Sequence, residues 1–213
     1  MPNQNISTTP ASHPTGDRLP VMEQFYTLQG EGCFSGRAAY FIRLSGCPVH
    51  CPWCDVKESW TIRPEQYRTL ETILEEIPAQ ARLAVITGGE PLLHPLDGLT
   101  QALHRRGLRT HLETSATREL SGQWDWICVS PKTALPPLDS VLHQADELKT
   151  VICSREDLER AEHYATHTKE SCQLLLQPEW SRRDEVLPLL VAYVKRHPRW
   201  GLSLQTHKYI DIP

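Results

Sequence analysis

The chain has 213 residues, of which 39% are hydrophobic, and this length is enough for one sizeable core. With 22 Lys and Arg against 26 Asp and Glu, the formal net charge is −4, and the basic residues form only short clusters such as His104–Arg106 and Arg182–Arg183. This pattern argues against nucleic acid as a partner. No apolar run is long enough to cross a bilayer and no signal peptide is recognisable, which argues against a membrane partner. The seven cysteines do not suit a disulfide framework, so a reducing cytoplasm is the expected location.

The beginning of the chain differs in composition from the rest. Residues 1–20 are rich in Ser, Thr, Pro, His and Asn without an apolar period, which predicts a disordered N-terminal tail before a single domain over residues 21–213.

The first predicted element of the domain is a strand over Met22–Leu28. It leads into the turn Gln29–Gly32, where two glycines flank a carboxylate and let the backbone come close to something small.

The next predicted strand, Ala39–Leu44, is apolar apart from Arg43. A guanidinium within a buried strand needs a partner, and a substrate carboxylate would suit its forked donors. We therefore expect Arg43 to contact an anionic substrate.

A loop with three cysteines, Cys47, Cys51 and Cys54, follows this strand at the spacing C-x3-C-x2-C. Three thiolates on a four-iron cluster leave one iron free to bind a small molecule, whereas electron-transfer clusters normally have four cysteine ligands. Structural zinc sites usually take their ligands as two separated pairs, and the sequence has no second C-x2-C and no H-x3-H. The alternatives are a plain turn and a zinc site completed by His50 or Cys33.

Predicted helices and strands alternate along the rest of the chain. Helices are predicted over Pro64–Ile77, Leu96–Arg106, Ser154–His167 and Ser181–His197, the last with a capping box of Ser181 and Asp184. Strands are predicted over Leu83–Ile86, Arg109–Leu112, Trp126–Val129, Glu147–Ile152, Cys172–Leu176 and Leu202–Gln205. This order favours an α/β fold with a mostly parallel sheet. A full barrel needs ~250 residues, so a partial (incomplete) parallel β/α barrel of roughly six strands is expected.

Polar residues recur where the predicted strands end. They are Cys47, Thr87–Glu90, Glu113–Thr114, Ser130–Lys132, Lys149, Gln177 and Gln205–His207. The carboxyl ends of the strands are where α/β barrels place their active sites. A purely structural domain has no reason to gather polar groups at one rim, so the pattern predicts an enzyme.

Six motifs narrow this interpretation. They are Phe25–Gly32, Gly46–Asp55, Thr87–Pro91, Glu113–Thr114, Ser130–Lys132 and Gln205–Tyr209. Together they closely resemble 7-carboxy-7-deazaguanine synthase, a family of the radical S-adenosylmethionine (SAM) superfamily. The cysteine spacing alone is typical of the superfamily, whereas the QGEG turn, the SPK triplet and the QTHKY ending are specific in combination. The resemblance extends from Glu23 to Pro213 and implies the partial barrel of radical SAM enzymes.

The resemblance also implies a reaction. The family converts 6-carboxy-5,6,7,8-tetrahydropterin to 7-carboxy-7-deazaguanine with loss of ammonia, on the route to 7-deazapurine nucleosides such as queuosine. SAM binds the open iron of a [4Fe-4S] cluster, and one electron cleaves it to a radical that takes hydrogen from the pterin carbon bearing the carboxylate. The hydrogen later returns, so SAM is a true cofactor, and no protein side chain carries the radical.

Residue roles follow from the resemblance by position. Cluster ligands would be Cys47, Cys51 and Cys54. SAM would contact Trp53, Cys54, Asp55, Gly89, Ser130, Pro131, Lys132, Gln177, Pro178, Glu179 and Trp180. Substrate would contact Leu28, Gln29, Gly30, Arg43, Thr87 and the C-terminal carboxylate of Pro213. Glu90 is expected to support the glycine turn, whereas Glu31 and Gln205 are polar neighbours without an assigned role.

One position departs from the family pattern. Where the family usually has a threonine whose hydroxyl helps to bind Mg²⁺, this chain has Val56. Mg²⁺ requires near-octahedral oxygen ligation and valine offers no oxygen. Either water or a neighbour such as Ser59 takes that place, or Mg²⁺ matters less, so we predict weak Mg²⁺ dependence.

The resemblance further implies a homodimer and an external reductant such as flavodoxin. Two alternative functions are a radical SAM activase that acts on a partner protein and a metal-binding module without turnover. Arg43 and the QGEG turn favour an enzyme with a small anionic substrate over an activase of a partner protein. The second alternative predicts zinc in the isolated protein and no SAM cleavage.

Overall fold

The computed structural model describes residues 17–213, so most of the predicted tail, residues 1–16, lies outside the described residues. Strand β1 (Arg18–Leu28) begins before the expected domain boundary at residue 21. Its first three residues pair with a short strand over Tyr67–Thr69, and Leu19 is buried in the core. The prediction of disorder up to residue 20 was therefore wrong for these three residues.

The remaining strands are β2 (Ala38–Leu44), β3 (Tyr67–Thr69), β4 (Leu83–Gly88), β5 (Arg109–Thr114), β6 (Trp126–Val129), β7 (Glu147–Ile152), β8 (Gln173–Pro178) and β9 (Trp200–Leu202). Within residues 17–213 they form one sheet in the order β3-β1-β2-β4-β5-β6-β7-β8-β9. Strand β2 and strands β4 to β9 are parallel, whereas β1 is antiparallel to both neighbours. Strands β3 and β9 stay at the edges, so the sheet is an incomplete barrel. It has one parallel strand more than the six predicted.

The helices are α1 (Leu70–Glu75), α2 (Asp97–Arg105), α3 (Asp139–Leu142), α4 (Glu156–Ala165), α5 (Arg183–Arg196) and α6 (Thr206–Ile210). Among the helices described, none is long and apolar enough to cross a membrane. The helix predicted over Pro64–Ile77 is only partly present. Its first half is a 3-10 turn followed by β3, and α1 starts after Thr69, whose hydroxyl accepts a 3.3 Å hydrogen bond from the Thr72 amide.

The predicted capping box before α5 is also different. A 3-10 turn over Trp180–Arg182 precedes the helix, and the carboxylate that caps this turn belongs to Glu179. It accepts hydrogen bonds from the Ser181 amide at 3.0 Å and the Ser181 hydroxyl at 2.6 Å. Pairing of β8 with its neighbours places Glu179 at the turn, whereas Asp184 stays exposed.

Alternate residues of the parallel strands divide between two environments, as the period of a strand requires. One set packs beneath the helices in the core: Ile42, Leu44, Ile86, Leu112, Val129, Leu148 and Leu176. The other set faces the inside of the partial barrel and includes Arg43, Thr87, Glu113, Lys149 and Gln177. The sheet therefore presents polar groups to an interior cavity.

The loop between β1 and β2 crosses the inside of the partial barrel. The Gly32 amide donates to the Ser203 hydroxyl at 2.9 Å, which connects this loop to the chain just after β9. Phe34 packs edge-on against His111 and Trp126, with ring centroids 4.3 and 5.0 Å apart. The loop thus joins both ends of the open sheet and fills its interior beneath the polar rim.

Candidate active site

Two adjoining cavities lie at the carboxyl ends of the parallel strands. The larger has a volume of about 220 Å³ and the smaller about 140 Å³. Glu31, Arg43, Thr87 and Glu113 line both cavities. These four side chains therefore form the boundary across which molecules in the two cavities would meet.

The three cysteines of the C-x3-C-x2-C loop all line the larger cavity. Backbone hydrogen bonds close the loop on itself, from the Cys54 amide to the Cys51 carbonyl at 3.1 Å, and anchor its start, from the Cys47 amide to the Trp60 carbonyl at 3.2 Å. Cys51 is buried, and Cys47 and Cys54 are half-buried. The loop thus directs three thiols into one chamber.

The chemistry of this chamber fits an iron-sulfur cluster. Burial raises the pKa of the Cys51 thiol, with Lys132 opposing the rise, so a thiolate there needs nearby positive charge. A cluster supplies that charge through its irons, each of which binds one cysteine. No three His, Cys, Asp or Glu side chains within residues 17–213 lie close enough to share a single metal ion. His50 stacks on Trp60 at 4.7 Å, and Cys33 lines neither cavity, so neither residue supports the zinc alternative.

The glycine turn after β4 packs directly against the cysteine loop. A Cβ atom on Gly89 would collide with the Gly46 carbonyl and lie 2.8 Å from the Cβ of Cys47. The Glu90 amide donates to the same Gly46 carbonyl at 2.7 Å. Glycine is therefore required at position 89 by contact between two backbone segments. The sequence had suggested a different reason, namely a close approach of the backbone to SAM.

Glu90 fastens this turn to the end of β5. Its fully buried carboxylate accepts hydrogen bonds from the Leu92 amide at 3.0 Å, the Thr114 hydroxyl at 2.6 Å and the Ser115 amide at 2.9 Å. These donors satisfy the polar atoms of a carboxylate that is shielded from water. Glu90 thus supports the turn, as its sequence position suggested.

Most residues expected at SAM line the larger cavity together with the cysteines. They are Trp53, Cys54, Asp55, Gly89, Ser130, Lys132, Gln177, Pro178, Glu179 and Trp180. Pro131 does not line the cavity but lies buried behind it. The Lys132 ammonium donates to the Ser130 hydroxyl at 2.7 Å and lies 5.1 Å from the centre of the Trp53 ring. Burial disfavours the charged ammonium and lowers the pKa of Lys132, so an anion brought into the cavity would stabilise the charged form.

The smaller cavity contains all six residues expected at the substrate. They are Leu28, Gln29, Gly30, Arg43, Thr87 and Pro213. Arg43 differs from the expectation in one respect, because its Nε donates to Glu23 on the adjacent strand at 2.6 Å. The strand register sets Glu23 opposite Arg43, and this bond orients the guanidinium at the boundary of both cavities.

A buried ion network lies at the same boundary. The Lys149 ammonium, 3% exposed, bonds to Glu31 at 2.7 Å and Glu113 at 2.9 Å. Burial opposes ionisation of Glu31, but Lys149 and a hydrogen bond from Gln205 outweigh it and lower its pKa to about 2. Burial raises the pKa of Glu113, with Glu147 and Glu31 adding to the rise. The sequence assigned no role to Lys149 or Glu113, although a charged residue within an apolar strand was the available signal.

The C-terminal helix α6 closes one side of the site. The Thr206 amide donates to the Gly30 carbonyl at 2.8 Å, and a Cβ atom on Gly30 would collide with His207. The Lys208 ammonium bonds to Asp55 at 2.9 Å, next to the last cysteine of the loop. The chain end is then held near β1. Sequence reasoning gave no roles to His207 and Lys208, although both lie within the QTHKY motif.

Comparison with known proteins agrees with this architecture. The family model described as the Radical SAM superfamily matches residues 41–152. A 7-carboxy-7-deazaguanine synthase from Flavobacterium psychrophilum is 46% identical over 93% of this chain and 94% of the relative. One from Synechocystis is 43% identical over 97% of this chain and the full length of the relative. The crystal structure of QueE from Escherichia coli superposes with a TM-score of 0.81 at 36% identity, covering 89% of this chain and 95% of that one.

A partial barrel with three cysteines gathered at the carboxyl ends of its strands defines a radical SAM enzyme. The identity to the curated relatives extends over nearly the whole chain on both sides. The chain therefore belongs to the 7-carboxy-7-deazaguanine synthase family.

Proposed function

We propose that the protein converts 6-carboxy-5,6,7,8-tetrahydropterin to 7-carboxy-7-deazaguanine, with loss of ammonia, in the biosynthesis of 7-deazapurines such as queuosine. One observation carries this proposal, namely the pairing of two cavities across a shared boundary. The larger, lined by cysteines, suits the cluster with SAM. The smaller, lined by Arg43 and the chain terminus, suits a small polar acid.

Within the larger cavity, Cys47, Cys51 and Cys54 would hold a [4Fe-4S] cluster. When bound, the cluster and SAM supply the radical that abstracts a hydrogen atom from the substrate. The backbone of the Gly89 turn, the Ser130–Lys132 segment and the Gln177–Trp180 segment would contact SAM. These segments all line the larger cavity together with the cysteines.

Within the smaller cavity, Arg43 pairs with the carboxylate of the substrate through its terminal nitrogens while Nε stays on Glu23. Leu28, Gln29 and Gly30 form one wall, with Thr87 and the terminal carboxylate of Pro213 completing it. The carboxylates Glu31 and Glu113 suit the N–H donors of a pterin ring. Lys149 holds both carboxylates in place.

The proposed reaction depends little on Mg²⁺. Val56 lines the larger cavity without an oxygen in its side chain. Ser59 also lines this cavity, but its hydroxyl already donates to the Val56 carbonyl at 2.7 Å, and Asp55 bonds to Lys208 and Gln205. The side-chain oxygens of Ser59 and Asp55 are thus partly engaged, which favours a reaction with little dependence on Mg²⁺.

The partners are proposed from family membership. A small electron carrier such as flavodoxin reduces the cluster, and the active protein is a homodimer in the cytoplasm. Neither nucleic acid nor a membrane takes part.

The test is anaerobic reconstitution with iron and sulfide, followed by SAM, a reductant and the carboxypterin, with detection of the product by mass spectrometry. Wild type is expected to form 7-carboxy-7-deazaguanine, and Cys51→Ala is expected to lose both cluster absorbance and product. Slow release of 5′-deoxyadenosine without product would keep the radical SAM class but overturn the substrate.

A longer chain tests the role of the terminus. Pro213 lines the smaller cavity, and one oxygen of its terminal carboxylate accepts a hydrogen bond from Thr27 at 3.4 Å. Two added residues would move the terminal carboxylate out of the cavity. We expect at least a tenfold higher KM with an intact cluster spectrum, whereas unchanged kinetics would remove Pro213 from the substrate site.

A further inference from the structure

One side of α5 carries a stripe of residues that the active site does not use. The stripe residues, Asp184, Leu187, Pro188, Val191, Ala192 and Lys195, line a shallow surface groove. At 3.6 residues per turn they fall on one side of the helix, apolar at the centre and charged at the two ends. The side of α5 that carries Val186 and Leu190 is buried in the core. Val191, at the centre of the stripe, is 42% exposed.

The stripe on one copy of α5 is complementary to the same stripe on a second copy that runs antiparallel to it. Its positions fall into three pairs, 184 with 195, 187 with 192 and 188 with 191, and each pair is centred on the point between Leu189 and Leu190. In two antiparallel copies of α5 related by a two-fold axis through that point, the members of each pair lie at the same height. The central apolar residues then face one another, and Asp184 at each end faces Lys195 of the other copy.

We propose that the stripe on α5 is the centre of a two-fold interface with a second copy of this chain. The inference gives a surface to the homodimer proposed above and rests on that proposal, but it does not depend on the reaction. Asp184 is 90% exposed and has Arg183 as a neighbour at 3.5 Å, so it can take a second cation without losing a buried contact. An apolar centre with charged residues at its edge is typical of a protein–protein interface.

The charge pattern is what favours a second copy over another partner. A stripe with an acid at one end and a base at the other attracts its own reversed image at both ends. An unrelated protein has no reason to match this spacing. None of the six residues lines either active-site cavity, so a dimer through α5 leaves both cavities open.

The test is sedimentation equilibrium of the full-length reconstituted protein with charge-reversal variants. Asp184→Lys alone sets lysines against lysines at both ends, and Lys195→Asp alone sets acids against acids. We expect each to weaken dimerisation at least tenfold relative to wild type. An equimolar mixture of the two variants restores opposite charges at both ends, so it is expected to form a heterodimer with nearly wild-type affinity.

Two further variants test whether dimerisation depends on the apolar centre of the stripe and whether it depends on residues 1–16. Val191→Glu is expected to abolish dimerisation, because it sets a charge in the apolar centre, while a wild-type cluster spectrum and far-UV circular dichroism show that the fold is retained. A chain that begins at Asp17 is expected to dimerise as wild type does. The inference is overturned if wild type is monomeric, if single reversals leave the affinity unchanged, or if their mixture stays monomeric. Loss of turnover in wild type would instead count against the proposed reaction and not against the interface.

Discussion

Replacement of Lys149 by methionine tests the ion network between the two cavities. The substitution keeps most of the apolar stem but leaves the carboxylates of Glu31 and Glu113 without the ammonium that bonds to both. Removing one partner of a buried ion pair costs ~3–5 kcal/mol. The lowered pKa of Glu31, from 4.5 to about 2 against the opposing effect of burial, is of the same order, because each pKa unit is worth ~1.4 kcal/mol and the net fall corresponds to ~3 kcal/mol, with Lys149 the main favourable cause. We therefore expect Lys149→Met to lower the free energy of unfolding by ~3 kcal/mol at pH 7.

The pH dependence of this loss has a definite sign. A carboxyl whose pKa is lower in the folded state stabilises the protein above its unfolded pKa, and the contribution disappears as the pH falls through the folded value. The difference between wild type and Lys149→Met is therefore expected to shrink from about pH 4.5 to pH 2. Urea unfolding followed by tryptophan fluorescence measures it.

The matched control is Lys169→Met, which removes a more exposed ion pair with Asp146 and is expected to cost no more than about 1 kcal/mol. Adding Glu31→Gln to Lys149→Met removes one of the stranded charges and is expected to recover part of the loss. If Lys149→Met is no less stable than Lys169→Met, the reasoning about the network is wrong.

Three other predictions concern ligands. Arg43→Ala is expected to raise KM for the carboxypterin at least a hundredfold while the cluster spectrum stays unchanged, and an unaltered KM would remove Arg43 from the substrate site. Gly30→Ala is expected to displace His207 and α6 and to raise KM at least tenfold. Gly36→Ala is the control: its Cβ meets nothing within 4 Å, so it strains the backbone at φ +83° without displacing His207 and is expected to change KM less. Turnover of wild type is expected to change less than threefold when Mg²⁺ is removed; a strong dependence that Val56→Thr leaves unaltered would contradict this.

The sequence predicted the strands well because apolar runs with polar ends leave few alternatives in a parallel sheet. Strands β4, β6 and β7 lie within two residues of their predicted bounds. The prediction failed where tertiary pairing decided local structure. Pairing with β1 made an extended strand of three residues within the helical pattern after Pro64. The same pairing brought Arg18–Pro20 out of the expected tail.

For the candidate site, the sequence supplied residue types and the order of motifs, but not which side chains bond to one another. Lys149 was visible as a charge within a strand, yet its two carboxylate partners come from the β1–β2 loop and β5. Gly89 was expected near SAM, whereas its nearest constraint is the Gly46 carbonyl. Such contacts arise from the meeting of distant segments, which no local pattern encodes.

The most direct test of the central claim uses substrate with deuterium on the carbon that bears the carboxylate. If the two cavities place that carbon beside SAM across the boundary at Arg43 and Glu113, deuterium should pass into SAM during turnover, and many products should form for each SAM consumed. Product without deuterium in SAM, accompanied by one 5′-deoxyadenosine for each turnover, would contradict the account.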